Sequence, residues 1–148
     1  MTAGFTFQVT DMSHVIQLAV APVFLLAGIG GMLSVLSIRL GRIIDRARRL
    51  DERPAAADRR DRAAVKIEYR MLSRRARLIY WAITLCTLCA LLVCTVIVVL
   101  FVGAYLSLDL AHLIASLFVV SMISLISGLL IFLREIYLGT SSLRIGEN

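Results

Sequence analysis

The sequence predicts an all-α integral membrane protein with three transmembrane helices and a cytoplasmic helical hairpin extending the first and second spans. Three observations predict it. Of the 148 residues, 59% are hydrophobic and the mean hydropathy is +0.88, above the roughly 45–50% apolar content of soluble domains. Three stretches, 15–38, 78–108 and 110–133, contain no Asp, Glu, Lys or Arg. Charge is segregated instead, with 14 of the 16 Lys+Arg residues inside 39–77. Nine glycines, two prolines and three cysteines exclude collagen-like, low-complexity and disulfide-scaffold chains.

The elements expected in order are an outer tail over 1–12, a first transmembrane helix with its cytoplasmic extension over 13–53, and a turn over 54–57. A second long helix over 58–106, a third span over 107–138 and a cytoplasmic tail over 139–148 complete the chain. The 24 charge-free residues of 15–38 rise about 36 Å as a helix, enough to cross roughly 30 Å of hydrocarbon with some tilt. The runs 78–108 and 110–133 are divided only by a short turn around Gly103 to Asp109, so they read as an antiparallel pair. Helices are expected because hydrocarbon leaves the backbone no other internal way to satisfy its hydrogen bonds except a closed barrel. No strand alternation is present.

Orientation follows from Lys and Arg, which are absent before the first span and between the second and third, and number 14 between the first and second. That segment is therefore expected in the cytoplasm, with the N-terminus outside and the C-terminus inside. No basic residue precedes the first span, and Arg39, Arg42 and Arg46 close it as a stop-transfer sequence does, so it reads as a retained anchor.

Within 39–77 the apolar residues keep helical order. Leu33, Leu36, Leu40, Ile43, Ala47 and Leu50 recur at alternating steps of three and four, as do Val65, Tyr69, Leu72, Ala76, Ile79 and Ile83. Both are heptad seams, predicting two long helices that pair as a coiled-coil hairpin or pack against other subunits. Asp45 with Arg49, Arg48 with Glu52, and Asp58 with Arg62 sit four apart, where ion pairs add a few tenths of a kcal/mol to a solvated helix. The surplus of 14 basic over six acidic residues points to anionic lipid at the cytoplasmic face. A single Lys and interleaved acids argue against nucleic acid as a partner.

Polar residues inside the spans are the candidates for function. Asp11 precedes His14, and Asp109 precedes His112, each by three residues at the start of a span. That spacing puts acid and imidazole on one helix face, where they would sense pH or hold a metal; helix capping is the plainer role of the aspartates. Gln17 and Pro22 continue a polar, kink-prone stripe down the first span, making His14, Gln17, Ala21, Gly28 and Ser34 the pore-lining candidates. Arg39, Arg42, Arg46 and Arg49 would form a basic inner mouth or contact lipid. Ala27 with Gly31, Gly30 with Ser34, Ser37 with Gly41 and Ser124 with Gly128 are small-x-x-x-small pairs, which suit close helix packing and a homo-oligomer. Cys86, Cys89 and Cys94 lack the ligand set of a structural metal site and read as small packing residues. No phosphate loop, nucleophile elbow or zinc-protease motif is present, so neither catalysis nor a cofactor is expected.

The stretch from Ser13 to Gly30, SHVIQLAVAPVFLLAGIG, followed by RLGRIIDRAR from Arg39, resembles the Domain of Unknown Function 2721 family of small bacterial membrane proteins. Its motif concentrates on His14, Gln17, Pro22, Arg39, Arg42, Asp45 and Arg46. Members commonly carry Thr-Asn before the Arg-Leu pair, where this chain has Ser37 and Ile38. The resemblance implies a bacterial inner membrane and supplies no activity. The residues leave two functions open: an oligomeric ion channel lined by the first span, or a non-conducting scaffold whose basic hairpin binds a partner protein or anionic lipid.

Overall fold

The computed structural model describes residues 3–51, 59–106 and 108–141, with side chains over 13–51, 65–106 and 108–137. Three helices run through it: α1 (Ala3–Asp51), α2 (Arg59–Leu106) and α3 (Ala111–Ser141). All three are long and apolar enough to cross a membrane, and no strand occurs among the described residues. The all-α, three-span class is thus established. The expected tail over 1–12 is helical from Ala3. The expected turn over 54–57 and the end of the tail, 142–148, lie outside the described residues, as does the Asp11 side chain.

At 49 and 48 residues, α1 and α2 far exceed the roughly 20 residues a span requires. Pro22 does not end α1, although it cannot donate the hydrogen bond that the Leu18 carbonyl would otherwise accept. Between α2 and α3 the chain turns tightly. The Leu108 N–H donates back to the Gly103 carbonyl at 3.0 Å, the six-to-one bond that closes a helix C-terminus. A Cβ on Gly103 would stand 3.3 Å from Leu110 Cδ1, so glycine there lets the start of α3 approach. Asp109 Oδ1 accepts from the Ala111 N–H at 3.3 Å, satisfying one of the donors that a helix start leaves open.

The chain forms two compact units, one of Met1–Met32 with Cys86–Ile126 and one of Leu33–Leu85 with Ser127–Asn148. In the first, Ala19 and Ile29 of α1, Cys86, Cys89, Val93 and Val96 of α2, and Ser121 and Ser124 of α3 are buried. Cys86 and Cys89 fill this core as small side chains, while Cys94 is exposed. Ser121 donates to the Phe118 carbonyl at 2.7 Å, so its hydroxyl enters the core already satisfied. Gly128, in the second unit, is buried as well.

In the second unit Leu36, Leu50, Leu72, Ile79 and Ala82 form the apolar core. The predicted α1 seam is the inward one, each of its six residues being buried or half-buried. On α2 one member fails: Tyr69 is 51% exposed, and its neighbour Glu68 takes the inward position. Leu36 is completely buried whereas its neighbour Val35 is 49% exposed. Leu36→Ala is therefore expected to cost about 2–5 kcal/mol through lost packing and a cavity, and Val35→Ala less than about 0.5 kcal/mol. Unfolding of the detergent-solubilised protein by titrated denaturing surfactant measures both.

Candidate functional site

The second unit holds a carboxylate between two guanidinium groups, each side chain from a different helix. Glu135 of α3 is 1% exposed. Its Oε2 accepts from Arg39 Nη1 of α1 at 3.0 Å, and its Oε1 accepts from Arg75 Nε and Nη2 of α2 at 3.2 and 2.8 Å. A buried carboxylate is tolerable only when paired and hydrogen-bonded, and both oxygens here are engaged. Arg39 also lies over the Phe132 ring, 5.2 Å from its centroid, so α3 holds this guanidinium through its charge and its ring face. The site is a polar clasp joining all three helices.

One heptad along α1 and one heptad back along α2, Arg46 Nη2 and Nε donate to Glu68 Oε1 at 2.7 and 3.1 Å. The opposite directions of those steps fit an antiparallel α1–α2 pair. The bond closes one side of an open cleft of about 450 Å³ lined by Arg42, Asp45, Arg46, Arg49, Leu50 and Glu68. Of the four arginines expected at a basic mouth, Arg39 turns inward to Glu135 while Arg42, Arg46 and Arg49 line this cleft. The intrahelical Asp45–Arg49 pair does not form: both side chains line the cleft without an ion pair among the described residues, and the one interhelical pair there is Arg46 with Glu68. The Arg48–Glu52 and Asp58–Arg62 pairs lie outside the described residues.

The pore-lining candidates His14, Gln17, Ala21, Gly28 and Ser34 are all exposed, on the part of α1 turned away from its packing seam. Their surroundings differ from those of the polar residues in the other spans. Thr84, Thr95 and Ser116 each donate to a carbonyl of their own helix at 2.9 Å, which makes a hydroxyl compatible with hydrocarbon. Gln17, Ser34 and Ser37 have no hydrogen-bond partner among the described residues. The small residues divide in the same way. Ser124 and Gly128 of α3 are buried, whereas a Cβ on Gly28, Gly30, Gly31 or Gly41 of α1 meets nothing within 4 Å.

At the other candidate site, His14, His112 and Asp109 are exposed. The Asp109 carboxylate caps the start of α3, and no group of three metal-ligating side chains forms among the described residues. Periodicity missed Glu135 and Arg75, because a count of apolar residues passes over charged ones. The available signal was register: Ser121, Ser124, Gly128 and Glu135 continue one heptad seam along α3.

The family model DUF2721, a protein of unknown function, matches residues 19–145, and the chain belongs to that family. No curated protein and no solved structure matches it.

Proposed function

We propose that this member of the DUF2721 family is the subunit of a homo-oligomeric membrane pore lined by the outward face of α1. The observation that carries the reading is the contrast between unpartnered Gln17, Ser34 and Ser37 on α1 and the self-satisfied hydroxyls of Thr84 and Thr95 on α2 and Ser116 on α3. A polar side chain in hydrocarbon costs several kcal/mol unless it finds water or another polar group; Ser34 lies about 6 Å inside the inner end of the charge-free run, with Gln17 and Ser37 close to its two ends. Copies of α1 around a water-filled axis supply water to Gln17 and the two serines, and let Gly28, Gly30 and Gly31 bring the helices close. Coverage agrees with this. Only 11% of the most apolar stretch of α1 is buried within the chain, against 22% for α2 and 17% for α3, which leaves α1 a broad face for lipid or a second copy.

In this reading the segment between α1 and α2 is cytoplasmic and the membrane is the bacterial inner membrane. Ions are the transported species, and the chain has no catalytic role. Arg42 and Arg49 bias the inner end toward anions, whereas His14 and Asp11 at the outer end favour cations or protons.

Ion flux across liposomes containing the purified protein tests the proposal, with the oligomeric mass measured in the same preparation. Gln17→Trp is expected to abolish flux while leaving the oligomer intact. Gln17→Cys should react with a membrane-impermeant thiol reagent once Cys94→Ser removes the one exposed native thiol, since Cys86 and Cys89 are buried. An oligomer that inserts but conducts nothing, with residue 17 inert to the reagent, would replace the pore with the scaffold reading, in which the spans only anchor.

A further inference from the structure

Of the charged clusters, the clasp is internally satisfied and the cleft beside it is not. The cleft carries three guanidinium groups, Arg42, Arg46 and Arg49, against two carboxylates, Asp45 and Glu68. Glu68 Oε1 takes both Arg46 bonds. Arg42 and Arg49 stand one heptad apart on α1, both exposed and neither in an ion pair among the described residues. One wall is the apolar Leu50 side chain, 7% exposed. The site therefore has one unit of positive charge in excess and two forked donors on a single helix face. An apolar surface lies beside them.

We propose that this cleft binds the phosphate headgroup of an anionic membrane lipid. A monoanionic phosphodiester neutralises the excess charge, and guanidinium groups match its oxygens in geometry as well as charge. Depth selects the lipid over a free phosphate. The charge-free run of α1 ends at Ile38, so Arg42 lies about 6 Å beyond the apolar stretch and Arg49 about 16 Å beyond it. Headgroups occupy roughly 5–8 Å on each side of the hydrocarbon. Arg42 thus stands at headgroup level, and the long Arg49 side chain reaches back toward it. The inference does not depend on conduction, but a lipid phosphate in the cleft takes up the charge by which Arg42 and Arg49 would bias a pore toward anions.

The test measures retention of phosphatidylglycerol by the full-length detergent-solubilised protein, by native mass spectrometry and by titration in mixed micelles. Phosphatidylcholine and inorganic phosphate serve as the other two probes. Each arginine near the surface contributes roughly fivefold to anionic-lipid affinity, so Arg42→Gln with Arg49→Gln is expected to weaken binding about thirtyfold. Arg74→Gln with Arg77→Gln removes the same charge from exposed sites on α2, at least as close to the apolar run and outside the cleft. It should change affinity much less than the cleft pair does if the cleft is the site, whereas diffuse surface charge would give similar losses for both pairs. Glu68→Gln frees Arg46 and is expected to tighten binding, an outcome that damage to the fold would not produce. Equal losses in the two arginine pairs would overturn the proposal in favour of a diffuse basic surface. Displacement of phosphatidylglycerol by inorganic phosphate would overturn the lipid assignment.

Discussion

Glu135→Ala is expected to destabilise the folded chain by about 3–5 kcal/mol, the range for removing one partner of a buried ion cluster. It leaves two guanidinium groups facing each other without the carboxylate that joined them. Glu135→Gln keeps the shape and an acceptor oxygen and should cost less. The two arginines should differ. Arg75 makes two hydrogen bonds and its side chain is 31% exposed, against one bond and 40% for Arg39. Arg75→Ala is therefore the more damaging, while Arg39→Ala also loses about 0.5–1 kcal/mol of contact with Phe132. Unfolding in mixed micelles ranks the four variants. A loss below about 1 kcal/mol for Glu135→Ala would show that the carboxylate does not hold the helices together.

A further variant separates stability from register. Replacing all three residues at once, by Glu135→Leu, Arg39→Met and Arg75→Met, removes the charges together and should recover most of the loss, since well-packed apolar residues often match or exceed a buried ion cluster. The three seams repeat every heptad, so apolar contact alone tolerates a slip of one repeat between helices. A polar clasp that closes at one level only forbids that slip. The triple variant is accordingly expected to keep stability while losing a single register, visible as several cross-linking patterns between cysteines introduced on α1 and α2. One pattern unchanged from that of the parent protein would assign the register to the apolar seams.

The same logic explains what sequence reading can and cannot reach. The α1 seam from Leu33 to Leu50 is legible because all its members are apolar and each faces inward. The α2 seam is misread at Tyr69, because an aromatic ring scores as core while Glu68, which faces inward, scores as surface. The clasp is illegible by periodicity, since its partners lie 96 and 60 positions apart. Only the pairing of helices brings Arg39, Arg75 and Glu135 together. At Asp109 the plainer of the two roles offered by the sequence is visible: one carboxylate oxygen accepts from the backbone N–H of its own helix start. The spans were readable from composition because hydrocarbon imposes length and apolarity on every helix that crosses it. Nothing comparable distinguishes a pore face from a subunit interface.

Gly30→Leu with Gly31→Leu is expected to abolish both oligomer and flux while leaving the isolated chain at least as stable as before. The opposed signs follow from one observation. Beyond the backbone of its own helix turn, a Cβ at either position meets no atom of the described residues within 4 Å, so the substitutions cause no clash with them. Replacing glycine within a helix also gains roughly 0.5–1 kcal/mol per site in backbone terms. Between subunits the same side chains hold apart backbones that small residues allow to touch, and in lipid that close packing is the main force joining helices. Each 1.4 kcal/mol lost at one contact lowers the association constant about tenfold, and a ring loses it at every interface. Oligomeric mass, thermal unfolding and liposome flux on one preparation decide the matter. A monomeric, well-folded and silent variant supports α1 as the assembly face. A conducting oligomer of unchanged mass would place lipid against Gly30 and Gly31 and remove α1 from the pore, leaving Gln17, Ser34 and Ser37 to be satisfied by some other contact.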